Sequence, residues 1–304
     1  NINPKLDFWG TESNLALLTE RLKNPFKAYK KSVPGTTDIE RKKNPAEIAL
    51  EQKARKVKPE IEQALVNKTF DNVFGYFKSA YYSGKNDEKI RALNLLVSYL
   101  KLNPGDCYKI PEMIRSNNFP DGDQPVLFMA LEETGHEEAQ SALLLMLETP
   151  GYPYSAHLRS PAALATMKYT TDASAVRLIN LHRNNLVPEE DAQNSVLLAI
   201  GGCAKYAINT NVRDISSAYL KEKINANSMD KANPSNIALL QAIGNSGNPD
   251  FIKDIKGFLQ SGNVLVKESA VKALVNIPEE TADPLLKEII NSNDVELIRS
   301  SVQV

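Results

Sequence analysis

The sequence contains few of the residues that build catalytic, metal or disulfide sites. Its 304 residues include 2 cysteines and 3 histidines. Cys107 and Cys203 are too few for a disulfide framework or a structural zinc site, so we expect each to pack as a small apolar side chain. His136, His157 and His182 do not form an HExxH or HxxxH spacing. The sequence therefore predicts no catalytic residue, no cofactor and no metal ligand, and hence no enzyme.

Long apolar runs and a strong net charge are also missing. No stretch approaches the roughly 20 apolar residues that span a bilayer, so we expect no transmembrane segment. The net charge of −1 gives no general attraction to nucleic acid. The chain begins at Asn1 and shows no signal peptide, which indicates a processed or trimmed form of a soluble protein. These features do not fix the compartment, and export stays open.

Residues 1–44 have an irregular, lysine-rich pattern. Residues 1–70 hold 14 Lys and Arg against 9 Asp and Glu, which is an excess of positive charge, and residues 1–44 carry most of this excess. This excess is typical of a solvated basic surface, with docking to an acidic partner as the alternative. We expect a partly mobile basic segment with one short helix at about 11–23, followed by a helical array over residues 45–304.

An internal repeat is clearest over residues 124–304. Apolar residues recur there at spacings of three and four, which is typical of helices, and no segment alternates as a strand would. Five similar helical segments end at positions 131, 167, 200, 243 and 274, so the intervals between them are 36, 33, 43 and 31. Each is followed by a second apolar helix. Paired helices at such a period predict an all-α solenoid, that is, a right-handed, arch-shaped α-α superhelix.

Glycines follow several of the first helices of these pairs. A residue just after a helix often needs a positive φ, which glycine tolerates. We therefore predict structural turns at five glycines, namely Gly135, Gly201, Gly202, Gly244 and Gly247. The Gly244–Gly247 segment lacks the Gly-Lys-Ser/Thr ending of a phosphate loop, so we interpret it as a turn only.

This pattern resembles the HEAT repeat. The segment from Ile237 to Asp250, IALLQAIGNSGNPD, followed by VKESAVKAL from Val266, also resembles the helical domain of the large lipid transfer proteins (vitellogenin, apolipophorin and the microsomal triglyceride transfer protein). The resemblance covers about residues 70–304. It implies an arch-shaped helical layer. It does not imply lipid transport, because that family's lipid cavity is formed largely by β-sheets that are not visible in this sequence.

The leading functional hypothesis is a non-enzymatic scaffold that binds a protein or peptide on the concave surface of the solenoid. Tyr152 and Tyr154, in the loop Pro150-Gly-Tyr-Pro-Tyr154, are candidate partner-binding residues because rigid amphipathic side chains often act as anchors. The alternative is that they only cover the edge of the solenoid. Two other functions stay open: the helical part of a lipid carrier, where lipid is not favoured as a ligand, and a HEAT-type accessory or chaperone of an enzyme.

Overall fold

The structure is a computed structural model that describes residues 45–227, 232–292 and 294–301. The described residues from 46 onward belong to one compact unit. The predicted basic segment 1–44, with its short helix at about 11–23, lies outside the described residues.

The described residues form 16 α-helices and no strand, and about 78% of them are helical. The prediction of an all-α solenoid is confirmed. The N-terminal helices are α1 (Pro45–Ala54), α2 (Pro59–Leu65), α3 (Phe70–Ser83) and α4 (Asn86–Leu102). The central ones are α5 (Lys109–Arg115), α6 (Pro125–Thr134), α7 (Glu137–Glu148), α8 (Tyr154–Thr166), α9 (Asp172–Arg183), α10 (Glu190–Tyr206) and α11 (Thr210–Asn227). The last five are α12 (Asn236–Ser246), α13 (Ile252–Phe258), α14 (Val264–Lys272), α15 (Glu279–Ile290) and α16 (Val295–Ser301).

From α4 onward the helices pack in two layers. The first-helix row contains α4, α6, α8, α10, α12, α14 and α16, and each of these helices packs against the next one in the row. The second-helix row contains α5, α7, α9, α11, α13 and α15. One continuous apolar core fills the space between the two rows. A helix inside the first row contacts two row neighbours and the other layer, which leaves one face for solvent.

Small residues bring neighbouring helices of the first row close together. A Cβ atom added to Gly202 would lie 2.5 Å from the carbonyl oxygen of Ala165 on α8, and one added to Gly244 would lie 2.9 Å from the Cα atom of Ala273. A Cβ atom on Gly201 would overlap the carbonyl oxygen of Ala242 on α12. Successive first helices therefore touch through backbone atoms, and larger side chains at these positions would push them apart.

This close packing corrects part of the turn prediction. Gly201 and Gly202 lie inside α10 and Gly244 lies inside α12, so none of the three is in a turn. Gly135 and Gly247 do follow helix ends, with φ angles of 73° and 59° in the left-handed region. Backbone conformation therefore explains the glycines at Gly135 and Gly247. The short distance between helices explains those at Gly201, Gly202 and Gly244.

Candidate interaction surfaces

The two candidate tyrosines lie in different environments. The structure buries Tyr152, whose ring lies 5.8 Å from the guanidinium carbon of Arg115. Tyr154 begins α8, is 45% exposed, and its hydroxyl donates a hydrogen bond to Asp191 at 3.1 Å. Only Tyr154 is accessible to a partner. The prediction that Tyr152 anchors a partner is wrong, because its ring is buried beside Arg115 of α5.

The buried side chains of His136 and Cys107, in the region from α4 to α7, form a structural cluster. His136 precedes α7, with Nε2 3.1 Å from the carbonyl oxygen of Leu100 and Nδ1 3.0 Å from Glu138. Burial raises the pKa of Glu138, but hydrogen bonds from His136 and Arg55 outweigh it and lower the pKa to about 2. Arg55 follows α1, and its guanidinium lies 2.9 Å from the Glu138 carboxylate on α7. This ion pair therefore links α1 to α7. The cluster explains packing between helices and needs no ligand.

The thiols are not suited to nucleophilic chemistry. Cys107 and Cys203 are both free and buried. Burial raises the pKa of both thiols, that of Cys203 to about 12, so each stays protonated at neutral pH. Among the described residues, no group of three or more His, Cys, Asp or Glu side chains is arranged to hold a metal ion.

The second-helix row carries a series of ion pairs between successive helices. Each pair joins a basic residue on one helix to an acidic residue on a neighbour in the same row. The pairs are Arg177–Glu148 at 2.7 Å, then Arg183–Glu222, Lys221–Asp254 and Lys256–Glu288 at 2.6 Å each. Much of the charge on this layer is thus neutralised within the protein.

The solvent side of the first-helix row is different. We call it the first-helix face and define it by apolar side chains that the packing leaves partly or fully exposed, on four successive helices: Val126, Met129, Leu158, Ala162, Leu198 and Ile237. Met129 is 47% exposed. Helix α12 contains no charged residue, and α6 and α10 carry theirs at their ends. The centre of this face therefore carries no charge apart from Arg159 on α8, and polar side chains such as Ser195 and the exposed Gln241 lie among the apolar ones.

Sequence reasoning missed this face. The prediction of a concave binding surface named no side chain of this face, because pairing and stacking use one apolar stripe per helix. The available signal was a second set of apolar positions on the first helices, such as Met129 and Leu198, which both lie two residues before the segment ends at positions 131 and 200.

The comparisons with known proteins identify one family. The family of HEAT repeats matches residues 226–304, about a quarter of the chain. That stretch contains α12 to α16, and it agrees with the two-row packing in supporting a HEAT-like solenoid. No curated protein and no solved structure matches the chain. These comparisons therefore give no support to the resemblance to the large lipid transfer proteins. None of the helices in the described part of the chain is long and apolar enough to cross a bilayer.

Proposed function

We propose that this chain is a non-enzymatic scaffold that binds another protein on the first-helix face. HEAT repeats commonly serve in protein interactions, and the two-row array offers one long surface built from successive helices. The observation that carries the proposal is the contrast between the rows. Four ion pairs link successive helices of the second-helix row, whereas the first-helix face on α6, α8, α10 and α12 presents partly exposed apolar side chains with Arg159 at its centre. In the first row, Lys267 of α14 pairs with Asp294 just before α16, beyond this face.

The composition of this face fits a protein partner. Met129 is unbranched and flexible, so it adapts to the shape of a bound surface. Contiguous apolar patches on a soluble protein commonly mark interaction sites, and charged groups around an apolar centre are typical of protein interfaces. Glu133 on α6 and Asp191 on α10 provide such charges at the helix ends of the first row.

The test compares two double variants that add the same charge to opposite layers. Met129→Glu with Ala162→Glu places carboxylates on the first-helix face, at two exposed positions. Val176→Glu with Ile290→Glu is the matched control, because both residues are exposed apolar side chains of the second-helix row. Each variant and the unchanged chain are used as bait, and the retained proteins are cross-linked and quantified by mass spectrometry.

We expect a defined partner to be retained by the unchanged chain and by the control, and to be lost, by about tenfold or more, from the first-helix variant. Circular dichroism checks that all three chains keep the same helical content. If both variants retain the partner equally, the first-helix face is not the interface. If no protein is retained by the unchanged chain after cross-linking, the scaffold proposal itself fails.

A further inference from the structure

Three turns between helices meet beside the ends of α10 and α12. Together with residues of α10 and α11 they enclose an open cavity of about 370 Å³, whose lining includes the charged residues Lys205, Arg213 and Asp214 and the neutral residues Ser217, Asn248 and Asn276. We call this cavity the turn notch. Its volume lies near the lower end of the range of ligand sites and is large enough for one side chain or chain terminus.

The floor of the turn notch is fixed by backbone geometry. Gly247 holds a φ of 59°, and a Cβ atom there would lie 2.8 Å from the carbonyl oxygen of Asn276. The Asn248 side chain accepts a hydrogen bond from the backbone N–H of Asp250 at 3.0 Å. The lining therefore combines turns that glycine and asparagine hold in one conformation with residues of α10 and α11, so binding would cost little ordering of the backbone.

The cations of the turn notch differ from the paired cations Arg177, Arg183, Lys221 and Lys256 of the second-helix row. Lys205 donates to the amide oxygen of Asn276 at 3.0 Å, a neutral partner. Within the part of the chain that the structure describes, neither Lys205 nor Arg213 forms an ion pair with a carboxylate. Asp214 also lines the notch, but adjacent residues of a helix do not face each other, so it does not pair with Arg213.

Exposed apolar side chains flank these cations. Tyr206 and Ile208 are 46% and 48% exposed, and the ammonium of Lys205 lies 5.4 Å from the Tyr206 ring centre. The backbone N–H of Ile208 donates to the carbonyl oxygen of Lys168 at 2.8 Å, which joins this turn to the preceding one. Lys168 is exposed and adds a further positive charge to the same edge.

We propose that the turn notch binds a carboxylate side chain in an acidic segment of a partner protein, with an apolar neighbour of that carboxylate resting on Tyr206 and Ile208. The guanidinium of Arg213 supplies the planar donor pair that a carboxylate accepts, and Lys205 supplies a point charge. The proposal rests on the scaffold function and adds the chemistry of the partner: acidic, with an apolar residue next to the acid.

The experiment uses the whole chain and a fluorescein-labelled peptide of glutamate and leucine, with the glutamine and leucine peptide of the same order as control. Fluorescence anisotropy gives the dissociation constant of each. The test variants are Arg213→Glu alone and Arg213→Glu with Lys205→Glu. The matched control is Lys253→Glu with Lys287→Glu, two exposed lysines of the second-helix row whose replacement changes the net charge as much as the double notch variant does. Replacing Lys205 also removes its hydrogen bond to Asn276, which could disturb folding. Arg213→Glu alone keeps that hydrogen bond and therefore tests binding without this effect.

We expect the acidic peptide to bind and the glutamine peptide not to bind. Each notch variant should raise the dissociation constant by about tenfold or more, and the control should change it by less than about twofold. Added salt should weaken binding, because the contacts are ionic. An equal loss in the notch and control variants would show unspecific charge attraction and overturn the proposal.

Two other outcomes would also overturn it. Displacement of the peptide by millimolar inorganic phosphate would assign the notch to a small free anion, and stronger binding of polyuridylate than of the peptide would assign it to nucleic acid. The bait experiment separates this proposal from the scaffold function. A partner retained equally by the unchanged chain and by the notch variants would leave the scaffold intact and refute the notch.

Discussion

Gly201 and Gly202 are adjacent in α10, yet they serve two different helix contacts. Gly202 faces Ala165 of the preceding first helix, and Gly201 faces Ala242 of the following one. In both cases the opposing atoms belong to the backbone, which cannot rotate away as a side chain can. The pair thus sets the distance between α8, α10 and α12 in the middle of the array, and a methyl group at either position would need a shift of a whole helix.

We therefore expect Gly201→Ala and Gly202→Ala each to lower the free energy of unfolding by roughly 1–3 kcal/mol. Gly75→Ala is the control, because a Cβ atom at that helical glycine meets nothing within 4 Å. It should be neutral or raise the stability by up to about 1 kcal/mol, through the better helix propensity of alanine. Urea unfolding of the three variants measures the difference. Equal effects of all three would contradict the close packing.

His182 gives the protein a pH-dependent contribution to stability. Its Nδ1 lies within hydrogen-bond distance of the Tyr219 hydroxyl, at 2.7 Å, and the cations of Arg183 and Lys223 lie over the Tyr219 ring. Burial and the positive charge of Lys223 lower the pKa of His182 from 6.5 to about 4. The folded protein thus holds this side chain neutral in a pH range where the unfolded chain protonates it.

The sign follows from the lowered pKa. Above pH 6.5 the side chain is neutral in both states, and stability is lost as the pH falls from 6.5 towards 4 because only the unfolded state binds the proton. Between pH 7 and pH 5 we expect this group to cost about 2 kcal/mol of unfolding free energy. His182→Gln removes the titration, so its urea midpoint should change less over this range. A parallel decline in both proteins would refute the assignment.

At the scale of helices, the ion pairs of the second-helix row differ in how deeply they lie. Arg177 is 10% exposed and donates to both oxygens of Glu148 and to Ser141, between α9 and α7. Lys256 and Glu288, between α13 and α15, are 54% and 59% exposed. Solvent screens the second pair, whereas loss of Arg177 leaves the mostly buried carboxylate of Glu148, 18% exposed, without this partner.

Arg177→Ala should therefore lower the free energy of unfolding by roughly 3 kcal/mol or more, and Lys256→Ala by less than about 1 kcal/mol. Chemical unfolding measures both values. Repeating it at high salt should shrink the effect of Lys256→Ala and leave most of the effect of Arg177→Ala, since buried pairs are screened less. A cost for Lys256→Ala that matches the cost for Arg177→Ala would show that burial does not decide the strength of these pairs.

The helices were easier to predict from the sequence than the contacts that each helix makes with distant parts of the chain. The stripe of Phe70, Val73, Phe74 and Phe77 is buried on α3 as its spacing predicts. The sequence could not distinguish Gly201, in a helix, from Gly135, after one, because both follow an apolar segment. Likewise Tyr152 and Tyr154 share one loop, and only the position of Arg115 decides which ring is covered. Such distinctions depend on contacts between distant parts of the chain.

For the whole molecule, the repeat period was enough to predict the two-row solenoid, but it gave no information on which row is open. That difference appears only when ion pairs and exposed side chains are placed on the two layers. The turn notch has the same origin, since Lys205, Arg213 and Asn276 come together only because successive turns stack on one edge. Both surfaces are products of the array rather than of any one repeat.

The last prediction separates a scaffold from a lipid carrier. A carrier must shelter acyl chains among apolar side chains, whereas the apolar residues of the described helices mostly fill the core between the rows, and others are exposed on both layers. The turn notch and a second cavity of about 610 Å³, which Asp71, Lys109, Glu112 and Arg115 line in part, present charged groups. Charged groups beside an acyl chain would lose hydration without compensation. We expect the purified chain to carry neither phospholipid nor triglyceride after gel filtration, as judged by lipid extraction and mass spectrometry. About one retained lipid per chain would show that the first-helix face shelters lipid, and it would replace the scaffold function by lipid binding.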